Sequence, residues 1–277
     1  MYDQNFDPLS AKYNGNEEVV IKSLKREIKN ILSSYVGWFD PFCELIQNAL
    51  DSVEERQTYS GDSYIPTVGV LVNINENYIA VTDNGIGFSQ DQYVKFLAPN
   101  FSFKSGKSRG HKGVGSTYLA YGFNYIQIST KNSNFSARGV MLNARNWLDD
   151  ENPAGNPKVI PDSNCTKDDL FDSIDQGVSI CIKYDSNSNP KDLSWIMVSN
   201  AENWLKILRI KTGLGAIMEN KKVNVHIKVV AKGGAESQCD NHGISYMSID
   251  EFVEKSGKYT DIKRKIDQLY QQYGSEY

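Results

Sequence analysis

The chain has 277 residues, of which 40% are hydrophobic and 11% aromatic, enough for the core of one large domain or two small ones. A formal net charge of −4 argues against a general clamp for nucleic acid or a membrane surface. Apolar runs such as Gly69–Val72 are too short to cross a bilayer, and Met1-Tyr2-Asp3-Gln4-Asn5 has neither the basic nor the apolar part of a secretory signal. Cys43, Cys165, Cys181 and Cys239 are scattered, which suits a reduced, cytoplasmic protein with no disulfide framework and no membrane partner. Cys239-Asp-Asn-His242 has a metal-like spacing, but no second Cys/His pair accompanies it, so a plain loop is the better reading.

From Glu17 to Tyr35, Val20, Leu24, Ile28, Ile31 and Tyr35 recur at helical spacing among lysines and glutamates, which predicts an amphipathic helix. Asp40-Pro41 opens a second helix, with Asp40 as N-cap and Pro41 at the first helical position, running to about Arg56. Thr67–Ile74 and Tyr78–Thr82 are predicted strands joined by Asn75-Glu76-Asn77. A short helix is expected over Ser89–Leu97, and Pro99 to Gly113, rich in Ser, Lys and Gly, reads as a mobile segment. Val114–Tyr121 is a predicted helix, and strands follow at Asn124–Lys131, Ala137–Leu142 and Gly177–Tyr184. Asn152–Asp169 reads as a polar insertion, Leu193–Ile210 as one helix, Val223–Val230 as a strand, Ala231–Gly243 as a loop, and the stretch from Ile249 as a surface helix. Short turns between many of the strands favour an α+β sandwich, with helices on one face of a mixed, mostly antiparallel sheet, over a regular βαβ series.

Three motifs carry chemistry. In Glu44-Leu-Ile-Gln-Asn48-Ala-Leu-Asp51-Ser, the polar residues stand at i, i+4 and i+7 and form one helical stripe. A solvated helix face gives the same pattern. Asp83-Asn-Gly85-Ile-Gly87 follows a strand; its glycines admit a flat ligand close to the backbone, and its carboxylate can accept from an exocyclic amine. A simple Asp-Gly turn is the plain alternative. Gly110-His-Lys-Gly113-Val-Gly115-Ser-Thr opens a helix, where backbone amides can cradle phosphate, and Lys104, Lys107, Arg109 and Lys112 lead into it with no acid among them. A flexible surface loop would look similar. The loop is neither a Walker A nor a dinucleotide fingerprint, because no Gly-Lys-Ser/Thr closes it and no strand feeds it directly.

Taken together and in this order, the three motifs resemble those of the GHKL ATPase superfamily, which includes gyrase, the large heat-shock chaperone, histidine kinases and MutL. The resemblance spans Glu17 to Tyr184. Asn48-Ala-Leu-Asp51-Ser looks more like the gyrase, chaperone, MutL and MORC branch than the kinases, and no His precedes His111 to act as a phosphoacceptor. Ile207-Leu-Arg209-Ile-Lys211-Thr212-Gly-Leu-Gly is similar to a segment of large MORC-like bacterial ATPases.

The resemblance implies a Bergerat-type two-layer sandwich over residues 1–185. Residues 186–277 would then be an extension of that domain or the start of a transducer region of a longer protein. It further implies Mg-ATP binding and slow hydrolysis as a conformational switch. Glu44 would be the general base, Asn48 the Mg²⁺ ligand, and Asp83 the reader of the adenine amine, with Gly85 and Gly87 beneath the base. Lys112 and the amides of Gly113, Val114 and Gly115 would meet the phosphates, Asp51 would support the helix, and Lys211 is the candidate for a γ-phosphate lysine. A late Gly-Thr pair of the family is matched here by Gly177-Val178-Ser179; Ser179 is the candidate second adenine contact, but it is displaced by one along the strand and can turn to the other face. An ATP-dependent homodimer fits the resemblance, and the client is open between DNA and protein. Two rival readings remain: a nucleotide-sensing module with negligible turnover, and a protein-kinase relative.

Overall fold

The computed structural model describes residues 17–61, 63–100, 114–151, 155–161, 165–216, 223–240 and 259–273. The chain divides into two compact units, residues 1–241 and 242–277. In the first, α1 (Glu17–Leu32) and α2 (Asp40–Gln57) precede the hairpin β1 (Thr67–Asn73) and β2 (Tyr78–Asp83). Next come α3 (Gln90–Lys95), α4 (Val114–Tyr121), β3 (Tyr125–Asn132), β4 (Phe135–Leu142) and α5 (Ala144–Asp149). A two-residue β5 (Val159–Ile160), α6 (Asp169–Ser173) and β6 (Gly177–Lys183) follow. A 3-10 turn at Leu193–Ile196, α7 (Ala201–Lys211), a second turn at Gly213–Ala216, β7 (Asn224–Val230) and β8 (Glu236–Asp240) complete this unit. The second unit contains helix α8 (Tyr259–Tyr273).

The protein is α+β, with one eight-stranded sheet in the order β5-β4-β3-β6-β2-β1-β7-β8. Neighbouring strands are antiparallel except β1 and β7, which run parallel. Residues 224–230 and 236–240 therefore share this sheet, and the chain divides near residue 241 rather than at 185.

Burial follows the side-chain periods. Phe42, Leu45, Ile46, Ala49, Leu50 and Val53 form one face of α2 and pack on the inward residues of β1, β2 and β6, including Val70, Val81 and Ile180. Trp204, Leu205 and Leu208 of α7 join the same cluster, as do Tyr118 and Leu119 of α4. Truncating a fully buried residue such as Ile46 to Ala would cost about 2–5 kcal/mol. A satellite cluster forms where Ile28 of α1 meets Trp147 and Leu148 of α5.

The opposite face of the sheet is not bare, contrary to the expected two layers. Gly69, Thr82 and Ser179 point to it, and α6 covers it: a Cβ on Gly69 would lie 2.2 Å from Leu170 Cδ2. Asp168 anchors this cover. One carboxylate oxygen accepts from the amides of Leu170 and Phe171 at 3.1 Å each, capping α6, while the other accepts from Ser179 Oγ at 2.7 Å and from Thr82 Oγ1.

Several boundaries depart from the sequence expectation. Asp40 is the first residue of α2 rather than its cap, because its carboxylate accepts from the amide of Gly37 at 2.7 Å. The helix expected over Leu193–Ile210 is broken: Met197 is left-handed at φ 56°, and Asn200 restarts the helix by accepting from the Asn203 amide. The stretch read as a loop from Ala231 contains β8, and the polar insertion contains β5.

Candidate functional site

Helix α2 organises the site, because its buried face fixes where its polar stripe stands. Glu44, Asn48 and Asp51 are half-buried on that stripe. Near the C-terminal end of α2, Ser52 Oγ donates to Asp83 Oδ1 at 2.9 Å, and the Gly85 amide donates to the same oxygen at 2.8 Å. The Ile86 amide donates to Ser52 Oγ at 3.2 Å. Gly85 must be glycine for this contact: a Cβ there would lie 2.1 Å from Ser52 Oγ and 2.5 Å from the Ser52 carbonyl carbon. Gly87 adopts φ +67°, and a Cβ on it would meet the Lys131 carbonyl at 2.2 Å. Arg56 Nη1 clamps the loop from behind by donating to the Asn84 carbonyl at 2.6 Å, with its guanidinium 4.6 Å from the Tyr64 ring.

Asp83 is 5% exposed. Burial pushes its carboxyl up to about 7, against the pull of the Gly85 amide, the Ser52 hydroxyl, the Val178 amide and the Arg56 charge. In its ionised form a carboxylate held so far from water is a strong acceptor for a donor brought by a ligand.

At the other end of the stripe, Glu44 Oε1 accepts from the Tyr35 hydroxyl at 2.9 Å. Its Oε2 lies against the first turn of α4: a Cβ on Gly115 would sit 1.9 Å from it. The first and third motifs therefore meet at Glu44, and the first and second meet at Ser52. Glu44 and Ser52 are eight residues apart on one helix, or about 12 Å at 1.5 Å per residue. Asn48 lies between them.

Not every expected residue joins this cluster. Ser179 does not: it pairs with Thr82 on the sheet face opposite Asp83, and its hydroxyl is bonded to Asp168. The residue opposite Asp83 in the ladder is Val178. Asp51 accepts from Gln47 Nε2 at 2.9 Å, a bond along its own helix. Lys211 is exposed at the end of α7, where its carbonyl lies 3.2 Å from Cys43 Sγ. Gly110, Lys112 and Gly113, with Lys104, Lys107 and Arg109, lie outside the described residues, whereas Val114 and Gly115 begin α4. Cys239 and Asp240 lie on β8, where Asp240 faces His226 Nδ1 at 2.5 Å; His242 lies outside the described residues.

Three contributors were missed in the sequence. Ser52 was legible, since i+8 from Glu44 keeps it close to the same stripe. Arg56 and Tyr35 carry no local pattern that marks them. A cleft of about 650 Å³ behind the loop is lined by Arg56, Tyr64, Asn84 and Asn224 among others, and not by Glu44, Asn48 or Asp83.

No protein-family model and no curated protein matches this chain. No described helix is long and apolar enough to cross a membrane.

Proposed function

We propose that this chain is a Bergerat-type ATP-binding domain of the GHKL kind, which binds Mg-ATP and hydrolyses it slowly as a conformational switch. The observation that carries this reading is the convergence of three separate motifs on α2, with buried Asp83 at Ser52 and Gly115 at Glu44. Such a stripe suits a ligand with two chemically different ends. Asp83 would accept from the adenine amine; Gly85 and Gly87, expected to let the base approach, instead let the loop pack on Ser52 and the Lys131 carbonyl, and so would hold Asp83 in place. The N-terminal amides of α4, at Val114 and Gly115, would face the phosphates.

Among the described residues, no group of three or more acidic, His or Cys side chains gathers to hold a metal. Mg²⁺ is commonly held by one or two protein ligands with phosphate oxygens and water, and Asn48 would be its ligand from this chain. Held there by Asn48, the ion would supply positive charge to offset that of the phosphates. Glu44, which lies beside the first turn of α4, would take a proton from the attacking water.

Calorimetry with ATP and Mg²⁺, followed by single-turnover hydrolysis, tests the reading. Binding with turnover is the expected result. Binding without turnover leaves the nucleotide-sensing module and the protein-kinase relative, and absence of binding defeats the proposal.

A further inference from the structure

Tyr35 lies just past the end of α1, in the connection to α2. Its ring is stacked on Tyr118 of α4, with centroids 4.0 Å apart and planes within 2°. Tyr118 is buried and braced in turn by Phe123, edge-on at 5.8 Å. This stack aims the Tyr35 hydroxyl at Glu44 Oε1 across 2.9 Å, while Oε2 rests against Gly115. One oxygen of the carboxylate is thus held by the Tyr35 hydroxyl, and the other lies against α4.

We infer that Tyr35 is a positioning residue for Glu44, held in its own place by the Tyr118 ring, so that α4 sets the orientation of the general base. The inference rests on the ATPase reading given above. A glutamate has three rotatable side-chain bonds, and a base displaced by about 1 Å from its productive position can lose roughly a hundredfold in rate. A second layer of hydrogen bonding removes that freedom. Burial, and then the charge of Glu44, raise the Tyr35 phenol above its ordinary value, which keeps it a donor at neutral pH. Because Tyr118 belongs to the helix whose first turn would meet the phosphates, a shift of that helix on ligand binding would reach Glu44 through one ring stack.

The test compares Tyr35→Phe with the wild type. Phenylalanine keeps the ring on Tyr118 and removes only the hydroxyl. Single-turnover hydrolysis at saturating Mg-ATP should slow by roughly tenfold, with ATP affinity within about twofold and an unchanged melting temperature. Tyr118→Leu should slow hydrolysis as well, and the double variant should be no slower than the slower single variant, because both remove one interaction. An unchanged or faster rate in Tyr35→Phe overturns the inference and leaves the ATPase reading intact. A readout that needs no nucleotide separates the two: NMR titration of ¹³C-labelled glutamate carboxyls, with Glu44 assigned by Glu44→Gln. Losing a donor to the carboxylate should move the Glu44 midpoint to higher pH in Tyr35→Phe. Among the described residues, the neighbouring groups Asp40 and Cys43 on α2 and Tyr118 on α4 are the same in both proteins. If the wild type binds no ATP, the positioning role falls with the ATPase reading, and this titration still decides the contact: a midpoint shift upholds the bond of Tyr35 to Glu44, and no shift removes it.

Discussion

The hydroxyl of Ser52 donates to Oδ1 of Asp83 across 2.9 Å, tying the C-terminal half of α2 to a strand end 31 residues further along the chain. With the Gly85 amide on the same oxygen, the carboxylate cannot rotate freely, and any ligand must meet it in one orientation. Replacing Asp83 by asparagine should keep both donors on the amide oxygen and place an NH₂ where the second carboxylate oxygen stands. A donor would then face the adenine amine, and ATP affinity should fall at least about tenfold, or ~1.4 kcal/mol, by calorimetry. Unchanged affinity in a folded Asp83→Asn protein would remove Asp83 from base recognition.

The same substitution carries a signature in pH. Burial raises Asp83 from 3.8 in the unfolded chain to about 7 in the folded one. Between those values the folded state holds a proton that the unfolded state has lost, so stability from this group is full below about pH 4 and is lost as pH rises through about 7. An asparagine side chain does not titrate and carries no such dependence. The melting temperature of Asp83→Asn relative to wild type should therefore be more favourable at pH 8 than at pH 5. Equal differences at the two pH values would show that Asp83 titrates normally.

Binding and chemistry should separate along α2. Glu44→Ala should leave ATP affinity nearly intact and slow hydrolysis by roughly a hundredfold or more, as loss of a general base does. Asn48→Ala should instead weaken binding only when Mg²⁺ is present. A Glu44→Ala protein with normal turnover would rule out the base.

Ser179 should matter to the fold and not to the ligand. Ser179→Ala removes one donor from Asp168, costs about 1 kcal/mol, and leaves ATP affinity unchanged. Asp168→Ala leaves two hydroxyls and two α6 amides without their acceptor and should cost on the order of 3 kcal/mol. A loss of ATP affinity in Ser179→Ala, measured by calorimetry, would return Ser179 to the site.

Gly85→Ala tests how tightly the loop lies on α2. The added methyl would meet Ser52 at 2.1 Å and the helix backbone at 2.5 Å, so the loop must lift. Overpacking of this kind costs about 1–3 kcal/mol, and ATP binding should be lost with it. Gly61→Ala, which meets nothing within 4 Å, is the matched control for thermal unfolding. Equal melting temperatures for the two variants would show that the loop can lift at little cost.

Legibility in the sequence tracked burial. The strands β1, β2, β3 and β6 alternate or run apolar because the core demands it, and they were found to within a residue or two. By contrast, β8 reads Glu-Ser-Gln-Cys-Asp, an edge strand with little to bury and so no apolar period to notice. The α5 helix is six residues long, too short to display a repeat, and its packing against Ile28 depends on a residue more than a hundred positions earlier. At the site, the motifs named Glu44, Asp83 and Gly115 because glycines and carboxylates mark themselves. Tyr35 did not, since its role comes from a ring on α4 that only the fold brings near. The displacement of Ser179 was readable as strand alternation, and the ladder to Thr82 turned it away from Asp83.

The parallel pairing of β1 with β7 has a consequence for how the chain is made. Thr67 lies opposite Asn224 in that ladder, so the strand that shields β1 arrives more than 150 residues after it. During synthesis β1 would wait as an open edge, ready to pair with a neighbouring chain, until residues beyond Val230 have left the ribosome. Cutting the gene after codon 185 would make that wait permanent. The shortened product should emerge as aggregate rather than as a smaller working domain, whereas one ending after Asp240 keeps the whole sheet.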